Sequence, residues 1–470
     1  MAHCQNVMQQ LPHAIMHTAQ VFSDAGYELS LVGGPVRDAF LGYAPKDFDL
    51  TTNAHPQEIE QLLRRAGAST WDIGRDFGTI GGHLQGCDIE ITTYRTDQYT
   101  PRSRKPHIDY GKVLEGDLSR RDFTVNSMAL RLPDFTLVDP HGGLQDLLEG
   151  VLDTPVNPTQ SFDDDPLRMM RAARFCSQLG FDVSERVLTA IDQMKERLSI
   201  VSLERIQQEF YRLIIGMYPR RGIEMLVYTG LCDLVLPELS ALQQTVDEHR
   251  RHKDVYEHTL TVLDQAIALE TDDDGPVPRP DFILRFAAIM HDIGKPATRR
   301  FEGGGTVTFH QHDIVGARMT RKRMKHLRFD KKTIQAVSHL VALHLRFHGY
   351  GEQSWTDSAI RRYVADAGDQ LQRLHRLTRA DCTTRNQRKA RYLSAAYDDL
   401  EHRIDEVAQK EELSKIRPDL NGEQIMHILG LSPGPEVGKA YKFLLDLRMT
   451  QGELGEEEAK KRLLAWWDAQ

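Results

Sequence analysis

The chain has 470 residues, a length that suggests about three domains at roughly 150 residues each. Hydrophobic residues make up 40% and charged residues 27%, which excludes wholesale disorder and a collagen-like or channel-like chain, and no apolar run approaches the ~18 residues of a membrane span. The net charge of −9 lends no support to nucleic-acid binding, but such binding depends on where the basic residues sit rather than on their total.

In chain order, residues 1–155 alternate short apolar runs with Gly, Asp and Pro punctuation. Helix-like runs cover Gln9–Ala25 and Pro56–Ala66; strand-like runs cover Leu29–Gly33, Phe48–Thr51, Thr79–His83, Asp88–Tyr94 and Ser127–Arg131. This pattern predicts a small α/β or α+β domain. From Pro166 to about Leu236 the apolar positions recur at helical spacing. TDDDGPVPRP, residues 271–280, reads as a loop inside a helical region. Residues 281–400 read as helices, with a small hairpin around Gly303–Gly305, and a charged, amphipathic tail ends in Trp466 and Trp467. The N-terminus, MAHCQNVMQQLPHAIMH, lacks the order of a signal peptide, and Cys4, Cys87, Cys176, Cys232 and Cys382 are dispersed. Both point to a reducing cytoplasm.

LVGGPVRDAFLGYAPKDFDLTT, residues 31–52, carries the richest chemistry. Gly33 and Gly34 end a strand and allow backbone N–H groups to approach a ligand, Pro35 suits a helix start, and Arg37 adds a cation one turn inside. In Lys46-Asp47-Phe48-Asp49 the two acids fall on one face of a strand, about 7 Å apart along the chain. Such a pair repels itself unless a cation lies between its members. A hard ion such as Mg²⁺ takes a few carboxylates and completes its shell with phosphate oxygens. In CDIEITTYR, residues 87–95, Asp88 and Glu90 alternate with Ile89 and Ile91, making Glu90 the better third acid.

These residues resemble the nucleotidyltransferase superfamily, and more closely the bacterial CCA-adding tRNA nucleotidyltransferases and related poly(A) polymerases. The resemblance covers most of the chain. It implies Asp47 and Asp49 as metal ligands, with Gly33, Gly34 and Arg37 near the triphosphate. GRDFGTIGG, residues 74–82, matches the family's next strand motif. LSRRDFTVNSMAL, residues 118–130, matches its ribose and phosphate motif and implies Arg120, Arg121, Asp122 and Asn126 as nucleotide contacts. Two arginines suit phosphate, and Asp122 and Asn126 suit sugar hydroxyls. Between the strands, residues 97–117 form a polar loop containing Arg102, Arg104 and Lys105.

In DDDPLRMMRAARF, residues 163–175, Asp165, Arg168 and Arg171 have helical spacing. An acceptor beside a donor matches the edge of cytosine or adenine, whereas uracil and guanine would leave buried groups unpaired. The resemblance implies that this is the family's base-selecting EDxxR helix, with Asp164 in place of the glutamate. SLERIQQEF, residues 202–210, matches the following helix, with Glu204 and Arg205 as possible supporting partners.

Farther on, His258, His291-Asp292 in HDIGK, and Asp381 give the H…HD…D order of the HD metal-dependent phosphohydrolases. Imidazoles favour a transition metal, Asp292 can bridge two ions, and His310, His312, His339 and His344 are a supply for a second one. Residues 318–332 hold eight Lys/Arg against Asp330 alone, a cluster able to neutralise RNA phosphates.

The expected fold class is α+β: a nucleotidyltransferase head with a small mixed sheet over 1–155, then an all-α neck over 156–245, an HD domain over 246–395 and a helical tail over 396–470. The expected activity is CCA addition to tRNA from CTP and ATP, with Mg²⁺ in the head, a transition metal in the HD domain and no membrane partner. A poly(A)-type or A-only nucleotidyltransferase would use the same residues. The further alternatives are an HD phosphohydrolase whose head merely binds RNA, and a non-catalytic RNA-binding protein.

Overall fold

The structure, a computed structural model, describes residues 11–44, 48–95, 110–111, 113–244, 255–272, 274–302, 306–347, 350, 355–384, 386–410 and 417–469. The chain divides into two compact units, Met1–Val235 and Leu236–Gln470. The boundary falls short of the expected end of the neck at residue 245, and the head and most of the neck belong to one unit.

The first unit begins with α1 (His13–Asp24), β1 (Leu29–Val32), α2 (Gly34–Phe40), β2 (Asp49–Thr52), α3 (Pro56–Arg65), β3 (Ser69–Trp71), β4 (Thr79–Leu84) and β5 (Cys87–Thr93). After α4 (Leu114–Ser119) come β6 (Ala129–Leu132), β7 (Thr136–Val138) and α5 (Gly143–Glu149). The seven strands form one mixed sheet in the order β3-β4-β5-β2-β1-β6-β7. Only β2 and β5 run parallel; the remaining pairs are antiparallel. β1 is buried along its whole length, as a strand near the middle of a covered sheet must be. Ile15, Phe22, Ile59 and Leu63 from α1 and α3 are fully buried and fill the core.

The five expected strands lie where their apolar runs are, within two residues at each end. β3 and β7 went unread because three-residue strands carry too little alternation to register. The rest of the unit includes β8 (Val151–Leu152), α6 (Pro158–Asp164), α7 (Leu167–Leu179), β9 (Asp182–Val183), α8 (Glu185–Met194), α9 (Leu203–Ile214) and α10 (Pro219–Tyr228), with β8 and β9 a short parallel pair. Residues 163–175 do not make one helix. α6 stops at Asp164, Asp165 is extended with φ −142° and ψ 100°, and α7 starts after Pro166. A residue before proline is driven out of the helical region, so the helical spacing expected from Asp165 to Arg168 does not hold.

The second unit contains α11 (Val255–Ala268), α12 (Phe282–Met290), the hairpin β10 (Arg299–Glu302) and β11 (Thr306–Phe309), α13 (His312–His326), α14 (Lys331–Leu343), α15 (Asp357–Ala367), α16 (Leu371–Asp381) and α17 (Gln387–Lys410). The hairpin stands where the glycine-rich turn predicts it. The last helices, α18 (Gly422–Leu429), α19 (Pro435–Gln451) and α20 (Glu456–Trp467), share a small core of Leu420, Ile425, Ala440, Leu444, Ala459 and Leu463. Trp466 stacks on Phe443 with ring centroids 4.7 Å apart. Among the described residues no helix is long and apolar enough to cross a membrane. The described cysteines, Cys87, Cys176, Cys232 and Cys382, are free thiols.

Candidate functional sites

The head places its acids by strand register. Asp49 on β2 pairs with Glu90 on β5 in the parallel ladder, so their side chains leave the same face. Neighbouring strands lie about 4.8 Å apart, close enough for two carboxylates to share a cation. Both residues are exposed, whereas Ile89 and Ile91 point into the core. Asp47 lies outside the described residues, as does most of the polar loop with Arg102, Arg104 and Lys105.

Gly33 is the N-cap of α2, with φ 76°, a conformation side chains rarely adopt. A Cβ there would also come within 3.1 Å of an Arg121 guanidinium nitrogen. Glycine thus lets the turn lie against the arginine that the resemblance assigns to phosphate. Gly34 opens the helix, and Arg37 one turn on is largely buried. Its Nη1 donates to Asn126 Oδ1 at 2.7 Å, and its Nε and Nη2 donate to Asp38 Oδ1 at 2.8 and 2.6 Å. Asn126 in turn donates from Nδ2 to Asp122 Oδ1 at 3.0 Å, which fixes the orientation of its amide. Arg171 on α7 donates from Nε to Asp122 Oδ2 at 2.7 Å and forms a second bond to it through Nη2. Burial alone would raise the Asp122 pKa; Arg171 and the Asn126 bond outweigh it and hold the carboxyl well below its ordinary value. Behind this chain, Glu209 on α9 pairs with Arg174 at 3.0 Å, and the Phe175 ring lies 4.3 Å from the Arg174 guanidinium and 5.3 Å from that of Arg37.

Arg120 and Arg121 are held by a residue not singled out from sequence, Asp117. It is fully buried and pairs with Arg120 at 2.7 Å and Arg121 at 3.1 Å. Burial raises its pKa, but the two arginines lower it further and leave the net shift downward. The signal was present in LEGDLSRR: an acid three and four residues before two arginines.

The Asp165 side chain does not pair with the Arg168 guanidinium, although the Arg168 backbone N–H donates to the Asp165 carbonyl at 3.0 Å. Asp165 accepts from Arg205 Nη2 at 3.0 Å through one oxygen and from the Leu167 backbone N–H at 3.1 Å through the other. Arg168 is buried and donates to Ser161 Oγ at 2.8 Å and to the Arg120 carbonyl at 2.6 Å. The Asp165 partner is therefore Arg205 of SLERIQQEF, and Arg168 joins α7 to the arginine turn of the head.

In the second unit three elements bring four side chains together. His258 comes from α11, His291 and Asp292 from the end of α12, and Asp381 from the last turn of α16. His258 Nε2 lies 3.0 Å from Asp381 and 3.5 Å from Asp292; His291 Nε2 lies 3.2 Å from Asp292 and 3.5 Å from Asp381. His312, opening α13, and His344, after α14, complete a second group around Asp292. Asp292 turns Oδ2 toward His258 and His291 and Oδ1 toward His312, 3.4 Å away. Of the other two histidines, His310 is exposed and His339 is bonded to the Asp366 carbonyl, so neither joins the cluster.

The ring nitrogens facing away from the centre are tied down. Nδ1 of His291, His312 and His344 bonds to the carbonyls of Ala288, Phe309 and Val341 at 2.7–2.8 Å, and His258 Nδ1 lies 3.1 Å from Thr383 Oγ1. A carbonyl only accepts, so Nδ1 carries the proton in those three rings and Nε2 is left to face the cluster. His344 Nε2 is buried without a hydrogen-bond partner, and burial with the nearby His291 lowers its pKa to about 4, leaving a neutral imidazole available as a ligand. Burial lowers the His291 pKa, but Asp292 and Asp381 overcome this and raise it to about 10. The nitrogen and oxygen donors, one of them orphaned, fit divalent metal ions, with Asp292 shared between two groups. Gly294 is required here for space: a Cβ would meet the His312 carbonyl at 2.1 Å, so the HDIG turn lies directly on the start of α13.

An acid-edged mixed sheet beside a cationic turn, followed by a helical unit holding an HD cluster, defines a nucleotidyltransferase coupled to an HD domain. Family models agree: the poly A polymerase head domain matches residues 29–153, the probable RNA and SrmB-binding site of polymerase A matches 180–242, and the HD domain matches 255–386. The chain is 32% identical to the A-adding tRNA nucleotidyltransferase of Deinococcus radiodurans over 93% of its own length and 95% of the relative's. It is 31% identical to the CC-adding tRNA nucleotidyltransferase of Thermus thermophilus, over 93% of each chain. The chain belongs to the tRNA nucleotidyltransferase family. Its fold is shared with the Bacillus stearothermophilus CCA-adding enzyme in complex with CTP, at TM-score 0.68 and 20% identity over 98% of this chain and 99% of that one.

Proposed function

We propose that the chain adds C, C and A from CTP and ATP to the 3′ end of tRNA, releasing pyrophosphate, and that its HD cluster is a separate phosphohydrolase centre. The observation that carries the first part is the register pairing of Asp49 with Glu90 beside the Gly33 turn. Asp49, Glu90 and Asp47 would hold Mg²⁺, which when bound activates the attacking hydroxyl and stabilises the leaving pyrophosphate. The tRNA 3′-oxygen forms a bond to the α-phosphorus, the bond from that phosphorus to the α,β-bridging oxygen breaks so that pyrophosphate leaves, and the hydroxyl proton passes to solvent. Arg120 and Arg121, aimed by Asp117, neutralise the triphosphate. Asn126 and Asp122, fixed by Arg37 and Arg171, orient the ribose. Asp165, set by Arg205, offers an acceptor for the amino group common to cytosine and adenine, with Arg168 and Arg171 as the donors of the base-selecting set.

In the HD domain, His258, His291, Asp292 and Asp381 would hold one transition-metal ion and Asp292, His312 and His344 a second, which when bound supply an activated water for phosphoester hydrolysis. Lys295, whose Nζ lies 2.8 Å from Asp292 Oδ2, would meet the phosphate of the ester.

A-only addition is the second reading, favoured by the A-adding relative. Incubating the protein with tRNA lacking its CCA end and with tRNA ending in CC, each with labelled CTP or ATP, separates the two. Incorporation of CTP on the first substrate followed by ATP supports full addition. ATP incorporation confined to the second supports A-only addition, and no incorporation on either overturns both.

A further inference from the structure

α13 and the start of α14 carry cations that their own fold does not use. Arg318, Arg321, Lys322 and Lys325 are exposed and recur three and four residues apart, so they line one face of α13; Lys331 and Lys332 are exposed in the first turn of α14. Arg323, between them in sequence, turns the other way and pairs with Glu238 at 2.8 Å. Among the described residues the six exposed cations form no ion pair, and only Arg321 makes a side-chain bond, a 3.3 Å contact to Ser338 Oγ.

This arrangement works against the helices that display it. Like charges three and four residues apart repel. Two lysines at a helix N-terminus face the positive end of the helix dipole. The same unit elsewhere neutralises its arginines, as in Arg285 with Glu270, Arg373 with Asp281, Arg379 with Glu401 and Arg448 with Asp419. In a chain of net charge −9, acids were available to do so on α13 as well. A ridge of uncompensated cations is complementary to a strand of phosphodiesters, whose charges repeat at a fixed spacing. α13 also begins at His312 of the histidine cluster, and Arg318 stands about 9 Å farther along that helix at ~1.5 Å per residue.

We propose that the ridge from Arg318 to Lys332 binds the sugar–phosphate backbone of the substrate tRNA. This inference rests on the tRNA reading above and adds a contact surface on the helical unit that carries the HD cluster. Each neutralised phosphate releases counterions, so the ridge contributes a measurable share of the salt dependence of binding.

The test replaces four cations together, Arg318→Gln, Lys322→Gln, Lys325→Gln and Lys331→Gln, in the full chain. The tRNA dissociation constant is then measured over a series of salt concentrations. The slope of log affinity against log salt should fall by about 3, at ~0.7–0.9 per lost phosphate contact. Affinity at low salt should fall at least about tenfold, with KM for tRNA rising while KM for CTP and kcat at saturating tRNA stay as in the parent. The melting temperature should hold or rise, because repulsion has been removed. As a second measurement, tRNA should protect Lys322, Lys325, Lys331 and Lys332 of the parent protein from acetylation. An unchanged slope together with unprotected lysines overturns the proposal, as does protection by an acidic polypeptide but not by tRNA. If the parent protein binds and extends tRNA while the variant behaves identically, only the ridge is wrong; a parent that does not bind tRNA sinks both readings.

Discussion

Asp122, in the turn before β6, and Arg171, on α7, are joined by two N–H donors meeting one carboxylate oxygen, while the other oxygen takes Asn126 Nδ2 at 3.0 Å and the Phe123 backbone N–H at 2.8 Å. The pair lies 49 residues apart in sequence and links the sheet-bearing part of the first unit to its helices. Arg171→Ala should leave a buried carboxylate without its cation and cost about 3 kcal/mol, read from denaturant unfolding. Arg171→Lys, which keeps the charge but loses the fork, should recover less than half of that. Equal stability of all three proteins would show that the pair contributes nothing.

Asp49→Ala and Glu90→Gln should each lower the rate of C and A addition. Loss of a shared metal ligand is worth several kcal/mol, so about 10³-fold is expected for Asp49→Ala, and the same for Asp47→Ala. Affinity for tRNA should stay within about twofold. Wild-type turnover in Glu90→Gln would confine metal binding to Asp47 and Asp49.

Asp165→Ala should weaken discrimination against UTP and GTP more than it weakens triphosphate binding, because it removes an acceptor and leaves the phosphate contacts in place. Arg205→Met should move selectivity in the same direction by releasing Asp165. Competition between CTP and UTP in a single reaction measures both; unchanged ratios would place base selection elsewhere.

His291→Ala with Asp292→Ala should eliminate bound transition metal and phosphohydrolase activity and leave nucleotide addition unchanged. His312→Ala with His344→Ala should lower the metal content from about two ions per chain to about one, since Asp292 is shared by two groups. Elemental analysis reads both. A parent protein free of transition metal and inactive on phosphoesters with added Ni²⁺, Co²⁺ or Mn²⁺ would make the cluster a scaffold.

His375 on α16 gives a pH dependence with a defined sign. It is buried against Tyr363, ring centroids 5.7 Å apart, and neither ring nitrogen makes a hydrogen bond among the described residues. Burial lowers its pKa to about 4, against an upward pull from Glu401. The unfolded chain binds the proton at the ordinary value of 6.5, so stability is lost as pH falls from about 6.5 toward 4. His375→Phe, which keeps the stacked ring, should flatten that decline in melting temperature. An identical decline would assign it to other groups.

Much of the head was legible because its strands are alternating apolar runs and its glycines and acids sit at their ends: Gly33 closes β1, Asp49 opens β2 and Glu90 lies mid-way along β5. The register that sets Asp49 against Glu90 was not, since pairing between strands that are distant in sequence leaves no local periodicity. Asp165 shows how a helical spacing misleads when proline follows: its carboxylate pairs with Arg205, 40 residues on, and not with the Arg168 guanidinium. The order His258, His291-Asp292, Asp381 was visible in sequence, whereas the choice of His312 and His344 over His310 and His339 required the positions of α13 and α14.

Three of the cluster's imidazoles are anchored to carbonyls three residues earlier in their own chain segments: His291 to Ala288, His312 to Phe309 and His344 to Val341. Each ring's aim is therefore written into a single turn of backbone and borrows no side chain for support. Exchanging a neighbouring side chain therefore need not turn these rings, provided that each of the three turns keeps its shape and Gly294 keeps its clearance from the His312 carbonyl.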